Sequence, residues 1–183
     1  MDIITILLIA IGLSMDAFAV SISSGIILKR PTIYHALRIG VFFGGFQAVM
    51  PIIGWVLGLG LKGFISSLAN WTAFGLLLII GLKMIYEALY SKDKDVKTEP
   101  TRFIILLMLA IATSIDALVV GVGFGLLVTS IVKPVIIIGI VTFIFSFIGV
   151  FIGERLGGLF GKKVEILGGL ILIIIGIKVI LSF

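Results

Sequence analysis

The segment SMDAFAV at residues 14–20 recurs as SIDALVV at residues 114–120, and both copies lie inside long apolar runs. Each copy carries one aspartate, Asp16 in the first and Asp116 in the second. An aspartate at the centre of a membrane helix costs roughly 2.5–3.5 kcal/mol on insertion scales, and such residues usually face a polar path or a bound cation. The repeated motif therefore predicts a membrane domain with an ion site in its interior.

Composition independently indicates a membrane protein. Hydrophobic residues make up 61% of the 183 residues and charged residues 13%, whereas about a quarter of a soluble domain is charged. The absence of cysteine excludes disulfides and thiolate metal ligands. The net charge of +5 comes from basic residues that lie mostly in short loops, where they act as topology signals. We therefore expect the lipid bilayer as a partner, no nucleic acid and no cofactor.

Six apolar runs are long enough to cross a bilayer. A helix needs roughly 20 residues to span an apolar layer of about 30 Å. The runs lie near residues 3–25, 33–60, 70–90, 103–126, 134–156 and 164–183. The sequence therefore predicts an all-α membrane protein with six transmembrane helices.

Basic residues in the loops predict the orientation. Lys29 and Arg30 follow the first run, four basic residues lie within 92–102, and three lie within 155–163. The loops after the second and fourth runs offer only Lys62 and Lys133. Because Lys and Arg accumulate on the cytoplasmic side, we expect a multi-pass membrane protein with both termini outside the cytoplasm.

The likeness between the two halves extends beyond the aspartate motif. IGV at residues 39–41 is matched by IGI at 138–140, and GLKMI at 81–85 by GIKVI at 176–180. A unit of three helices that occurs twice enters the membrane from opposite faces, as in many secondary transporters. We predict a single transmembrane domain of two inverted three-helix repeats, with repeat one at 1–90, a cytoplasmic linker at 91–101 and repeat two at 102–183.

The aspartates are the first candidates for metal ligands, and two polar residues could complete their site. Gln47 and Ser146 occupy equivalent positions in the two repeats and are predicted to face Asp16 and Asp116; a purely interhelical hydrogen bond by Gln47 is an equal alternative. Two carboxylates in an all-oxygen site suit a hard divalent cation such as Mn²⁺ or Mg²⁺. The one histidine, His35, is predicted to be an interfacial anchor. The sequence leaves open whether the aspartates share one ion or hold two in series.

Several segments resemble the bacterial manganese efflux pump family MntP. They are SMDAFA at residues 14–19, SIDA at 114–117, FGGFQ at 43–47 with PIIGW at 51–55, and GKKVEILGG at 161–169. The similarity covers essentially the whole chain. It implies a plasma-membrane exporter of Mn²⁺, related to the lysine-exporter group, with the family's intramembrane aspartates at Asp16 and Asp116. Some members have glutamate where this chain has Gln47, so a third carboxylate is missing here.

The leading hypothesis is a secondary transporter that exports Mn²⁺ by alternating access, with the ion as substrate. No Gly-x-x-x-x-Gly-Lys-Ser/Thr motif is present, which argues against a built-in ATP motor. An alternative is a proton-coupled exporter of another small solute or another divalent cation. An intramembrane aspartyl protease would also pair two aspartates, but its Tyr-Asp and Gly-x-Gly-Asp motifs are missing, so we expect no enzyme. A membrane assembly factor would leave the paired acids unexplained.

Overall fold

The computed structural model describes residues 2–28, 30–65, 100–127 and 130–156, with isolated helical positions between 74 and 89 and between 166 and 177. Every regular element in these ranges is an α-helix, as the sequence predicts. The helices are α1 (Ile3–Leu28), α2 (Ile33–Ile65), α3 (Phe103–Thr113), α4 (Ile115–Leu127) and α5 (Val132–Leu156). Apart from isolated positions, the third and sixth predicted spans lie outside the described residues, as does the linker up to residue 99.

Three of the described helices are long and apolar enough to cross a membrane. They are α1, the part of α2 from Ile33 to Leu61, and α5 from Val132 to Arg155. These agree with the first, second and fifth predicted spans to within three residues at each end. At the start of α2, Thr32 donates its backbone N–H to His35 Nδ1 at 3.2 Å, and the two side chains lie 3.1 Å apart. The His35 side chain therefore contacts Thr32 at the beginning of α2, the position for which the sequence predicts an interfacial anchor.

The fourth predicted span is not one straight helix. It is divided at Ser114 into α3 and α4, which are bent by 40° relative to each other. Ser114 donates its backbone N–H to Ile111 at 3.2 Å, and its hydroxyl donates to the carbonyl of Ala110 at 2.6 Å. The Thr113 hydroxyl donates to Leu109 at 2.9 Å. These hydroxyls satisfy carbonyl groups that a break inside an apolar layer would otherwise leave without partners.

Glycines allow the helices to approach each other closely in two pairs. A side chain at Gly25 of α1 would collide with the Val150 carbonyl of α5, and one at Gly153 of α5 would collide with the Ile22 carbonyl of α1. The same happens between α2 and α4, where a side chain at Gly54 would collide with the Leu118 carbonyl. Close backbone approach through small residues is how helices pack in membranes without a hydrophobic driving force.

The contacts also give the relative directions of the helices. Phe18 of α1 packs on Phe145 of α5 with ring centroids 5.7 Å apart, and further along both helices Ile22 opposes Gly153, so α1 and α5 run the same way. Between α2 and α4, residue 51 opposes 121 and residue 58 opposes 125, so this pair is also parallel. Between α2 and α5, residue 40 opposes 143 and residue 48 opposes 139, so that pair is antiparallel.

Two buried clusters form the core. The first cluster joins the beginning of α1 to α4 and the beginning of α5, and includes Ile9, Ala10, Leu13, Ala117, Val135 and Ile138. The second cluster joins the middle of α1 to the beginnings of α2 and α3 and the end of α5, and includes Ala17, Ala36, Ile39, Phe43, Leu106, Ala110 and Val150. The repeated motif contributes to both, because Ala17 follows Asp16 and Ala117 follows Asp116.

Candidate metal-ion site

The four residues singled out in the sequence all lie near the middle of their helices. Asp16 is close to the centre of α1, and Gln47 is at the centre of the apolar part of α2. Asp116 is near the midpoint of the broken span formed by α3 and α4. Ser146 lies just past the centre of α5. A common depth is a precondition for these groups to serve one ion.

Asp116 lies directly after the helix break. It is 6% exposed and belongs to the first turn of α4. Its Oδ1 accepts a hydrogen bond of 2.7 Å from the backbone N–H of Ala117. The N-terminal end of a helix carries a partial positive charge that stabilises a nearby carboxylate. The break thus provides a favourable position for a negative charge in the interior.

Asp16 has a different local structure although its motif is nearly the same. It is half-buried, and α1 continues through it without interruption. The hydroxyl of Ser14, two residues earlier, donates to the Ile11 carbonyl at 2.8 Å. Asp16 therefore projects from the side of a continuous helix and lacks the helix N-terminus that Asp116 has.

Gln47 connects α2 to α1 beside the first aspartate. It is 1% exposed, and its Nε2 donates to the Leu13 carbonyl at 2.8 Å. Leu13 precedes Asp16 by three residues, so the amide lies within one helical turn of the carboxyl group along α1. The interhelical hydrogen bond considered from the sequence is confirmed. A role as a ligand stays a prediction.

Ser146 is fully buried, and its hydroxyl has no hydrogen-bond partner among the described residues. Thr142, one turn earlier on α5, shares both properties. Sequence reasoning ranked Ser146 as a candidate because it matches Gln47 in the other repeat. It did not single out Thr142, whose counterpart is the apolar Phe43. The helical spacing of Thr142 and Ser146 was the available signal.

Both aspartate-bearing segments contribute to the two buried clusters. Ala17, next to Asp16, shares the second cluster with Ala110 of α3. Ala117, next to Asp116, shares the first cluster with Ala10 of α1. Within the described ranges, no three residues of the His, Cys, Asp and Glu types are grouped closely enough to hold a metal ion. A cation bound here would need hydroxyl, amide or backbone oxygens beside the carboxylates.

These features define a multi-pass helical membrane protein with polar groups buried at the middle of its helices. The chain belongs to the MntP family, since the family profile described as "Putative manganese efflux pump" matches residues 30–180. It is 53% identical over 182 residues to a protein of that name from Crocosphaera subtropica, covering all of this chain and 97% of the relative. A Methanosarcina barkeri relative with the same name is 56% identical over 180 residues, covering 98% of this chain and 96% of the relative. No solved structure matches the chain.

Proposed function

We propose that this protein exports Mn²⁺ from the cytoplasm across the plasma membrane as a secondary transporter. The observation that carries the proposal is the pair of aspartates near the middle of two membrane helices, one of them at a helix break. Acids at this depth are costly and typically mark ion pathways. The relatives' printed names, which describe manganese efflux, supply the identity of the ion. We assign the chain no enzymatic activity.

The transport domain is proposed to consist of two inverted repeats. Support comes from the helix directions: α1 runs with α5, α5 runs against α2, and α2 runs with α4. The equivalent helices α1 and α4 therefore run in opposite directions. The packing is also symmetric: α1 of repeat one packs against α5 of repeat two, and their equivalents, α4 of repeat two and α2 of repeat one, pack against each other. Both are properties of an inverted repeat.

The proposed substrate site lies between the repeats, and the two aspartates share one ion. Asp16 and Asp116 supply the negative charge that balances Mn²⁺, while Gln47 and Ser146 supply neutral oxygen ligands. Support for sharing comes from the buried clusters: the first contains Ala117 and residues of α1, and the second contains Ala17 and residues of α3, which belongs to the same broken span as Asp116. An all-oxygen site of this composition suits a hard divalent ion.

Transport is proposed to follow alternating access, with both termini outside the cytoplasm. Mn²⁺ enters from the cytoplasm, displaces protons or water from the two carboxyl groups, and leaves on the outer side after the repeats rock against each other. Protons taken up from the outer side then return the carboxyl groups to the protonated state and are released into the cytoplasm when the next ion binds, so the proton gradient drives the cycle; the membrane potential contributes when more than two protons enter for each Mn²⁺ exported. Loaded vesicles in which each gradient is abolished separately test this step. Transport that survives the loss of both gradients and requires added ATP would contradict it.

Cellular Mn²⁺ accumulation tests the proposed function. Cells without other Mn²⁺ exporters would express the wild-type chain, Asp16→Asn or Asp116→Asn at matched membrane levels. We expect the wild type to lower cellular Mn²⁺ and both variants to leave it near the level of empty cells, because each loses a charge that balances the ion. Export by both variants at the wild-type rate would refute the site. A wild type that leaves Mn²⁺ unchanged would favour another solute or cation as substrate.

A further inference from the structure

Two hydroxyl groups on α5 are buried without a hydrogen bond. Thr142 and Ser146 are both fully buried, and neither hydroxyl has a partner within the part of the chain that the structure describes. Every other buried hydroxyl of the described helices has a hydrogen bond. The Thr5 hydroxyl donates to the Asp2 carboxylate. The rest donate to a backbone carbonyl three or four residues earlier; they belong to Ser14, Ser21, Ser24, Thr113 and Ser114. A buried hydroxyl without a partner is costly, so this pair requires an explanation.

The two hydroxyls lie on the enclosed face of α5. Thr142 and Ser146 are one helical turn apart and lie on either side of the middle of the helix. Gly139, three residues before Thr142, packs against α2, and Gly149, three residues after Ser146, packs against α1. The pair is therefore between the two contacts, at the depth where α1 carries Asp16. The face that carries the pair is thus packed against α1 and α2, the helices that carry Asp16 and Gln47.

Only one repeat carries this pair. When Ser146 is matched with Gln47, the counterpart of Thr142 is Phe43, which is 1% exposed and belongs to the second cluster. A phenyl ring offers no ligand to a hard cation, whereas a hydroxyl oxygen does. The two halves of the site thus differ in chemistry although their aspartates correspond.

We infer that Thr142 and Ser146 together supply two neutral oxygen ligands to a hard divalent cation held by Asp16 and Asp116. The inference rests on the proposed function and extends its site to Thr142. Two carboxylates balance the charge of the ion but do not fill a coordination sphere of about six oxygens. A pair of hydroxyls in helical register fills neighbouring positions of that sphere, and the bound ion gives both oxygens the partner that they otherwise lack.

Mn²⁺ titration of the purified full-length protein, together with melting in the absence of metal, tests the inference. Thr142→Val keeps the shape and removes the hydroxyl, while Thr142→Ser keeps the hydroxyl. Ser24→Ala is the matched control, because the Ser24 hydroxyl is buried but bonded to the Val20 carbonyl at 2.8 Å. We expect Thr142→Val to weaken Mn²⁺ binding on the order of tenfold, and both Thr142→Ser and Ser24→Ala to bind like the wild type.

Melting separates a ligand from a structural residue. The metal-free Thr142→Val protein is expected to melt no lower than the wild type, since the substitution removes a buried hydroxyl that had no partner. Wild-type affinity in Thr142→Val would overturn the inference while leaving the proposed function intact. A lower metal-free melting temperature in Thr142→Val would also overturn it, because the hydroxyl would then stabilise the fold without a bound ion. A wild-type protein that binds no Mn²⁺ would refute the proposed function itself.

Discussion

At the scale of single residues, the two aspartates share a motif but differ in how they are held. Asp116 begins a helix and accepts a hydrogen bond from the Ala117 N–H. Asp16 lies on the side of a continuous helix, with Gln47 attached one turn away at Leu13. The backbone therefore holds the Asp116 carboxyl group, whereas the hydrogen bond of Gln47 reaches α1 one turn away from Asp16.

Replacing Gln47 tests that second arrangement. Gln47→Leu retains most of the side-chain volume but removes the hydrogen bond to Leu13. We expect the free energy of unfolding to fall by about 0.5–1.5 kcal/mol, the usual net value of one hydrogen bond, and Mn²⁺ export to fall with it. Unfolding in mixed micelles and export assays at equal expression measure the two effects. Unchanged stability and unchanged export would show that the bond positions nothing.

The sequence predicts that the aspartates are functional because the same motif places a costly acid inside two apolar runs. It also placed Gln47 and Ser146 near the middle of their helices, because the bounds of the second and fifth spans agree with the structure. The sequence left open whether Gln47 is a metal ligand or makes an interhelical hydrogen bond. The answer depends on which residue of α1 lies opposite the Gln47 side chain in the folded protein. Thr142 lies on the same predicted helix face as Ser146 but was not predicted as a ligand, because only Ser146 matches a polar residue in the first half.

At the scale of elements, the break at Ser114 is the main departure from the sequence-based prediction. Ser14 occupies the same place in the first motif, yet α1 is continuous there. Two nearly identical local sequences thus adopt different backbones. Local propensity therefore does not determine the break, and tertiary packing around each motif must. The predicted extent of the fourth span agrees with α3 and α4, but the position of the break was not predicted.

Close packing through glycine gives a prediction for the pairing of α1 with α5. Gly153→Ala places a methyl group against the Ile22 carbonyl, which cannot move without shifting α1. We expect a loss of about 1–3 kcal/mol in the free energy of unfolding, as for other overpacked sites. Gly45→Ala is the control, because open space surrounds Gly45 and alanine favours a helix by up to about 1 kcal/mol. Equal stability of the two variants would contradict the packing.

At the scale of the whole molecule, the described helices pack mainly across the two halves of the chain. The close helix pairs are α1 with α5 and α2 with α4, so each pair takes one helix from each half of the chain. The sequence predicted the duplication from matched segments. It did not predict which helices pair, because small-residue faces occur on several helices and packing partners are settled only by the three-dimensional fit.

The natural absence of cysteine makes the proposed topology directly measurable. Arg30 lies between α1 and α2 and Lys133 lies near the start of α5, and both side chains are exposed. In intact cells, a membrane-impermeant thiol reagent should label Lys133→Cys and not Arg30→Cys, because the first loop is assigned to the cytoplasm. Opening the cells should make Arg30→Cys reactive. Labelling of Arg30→Cys alone in intact cells would reverse the orientation.

The central claim is that Asp16 and Asp116 together hold one Mn²⁺ ion, and electron paramagnetic resonance of Mn²⁺ bound to the purified protein tests it most directly. Free and bound Mn²⁺ are distinguished in the same titration, so affinity and stoichiometry come from one measurement. The wild type should bind one ion per chain. Asp16→Asn and Asp116→Asn should each lower the affinity for that ion by about tenfold or more. Two ions in the wild type, with one retained at full affinity in each variant, would mean serial sites. Wild-type binding by both variants would contradict the claim altogether.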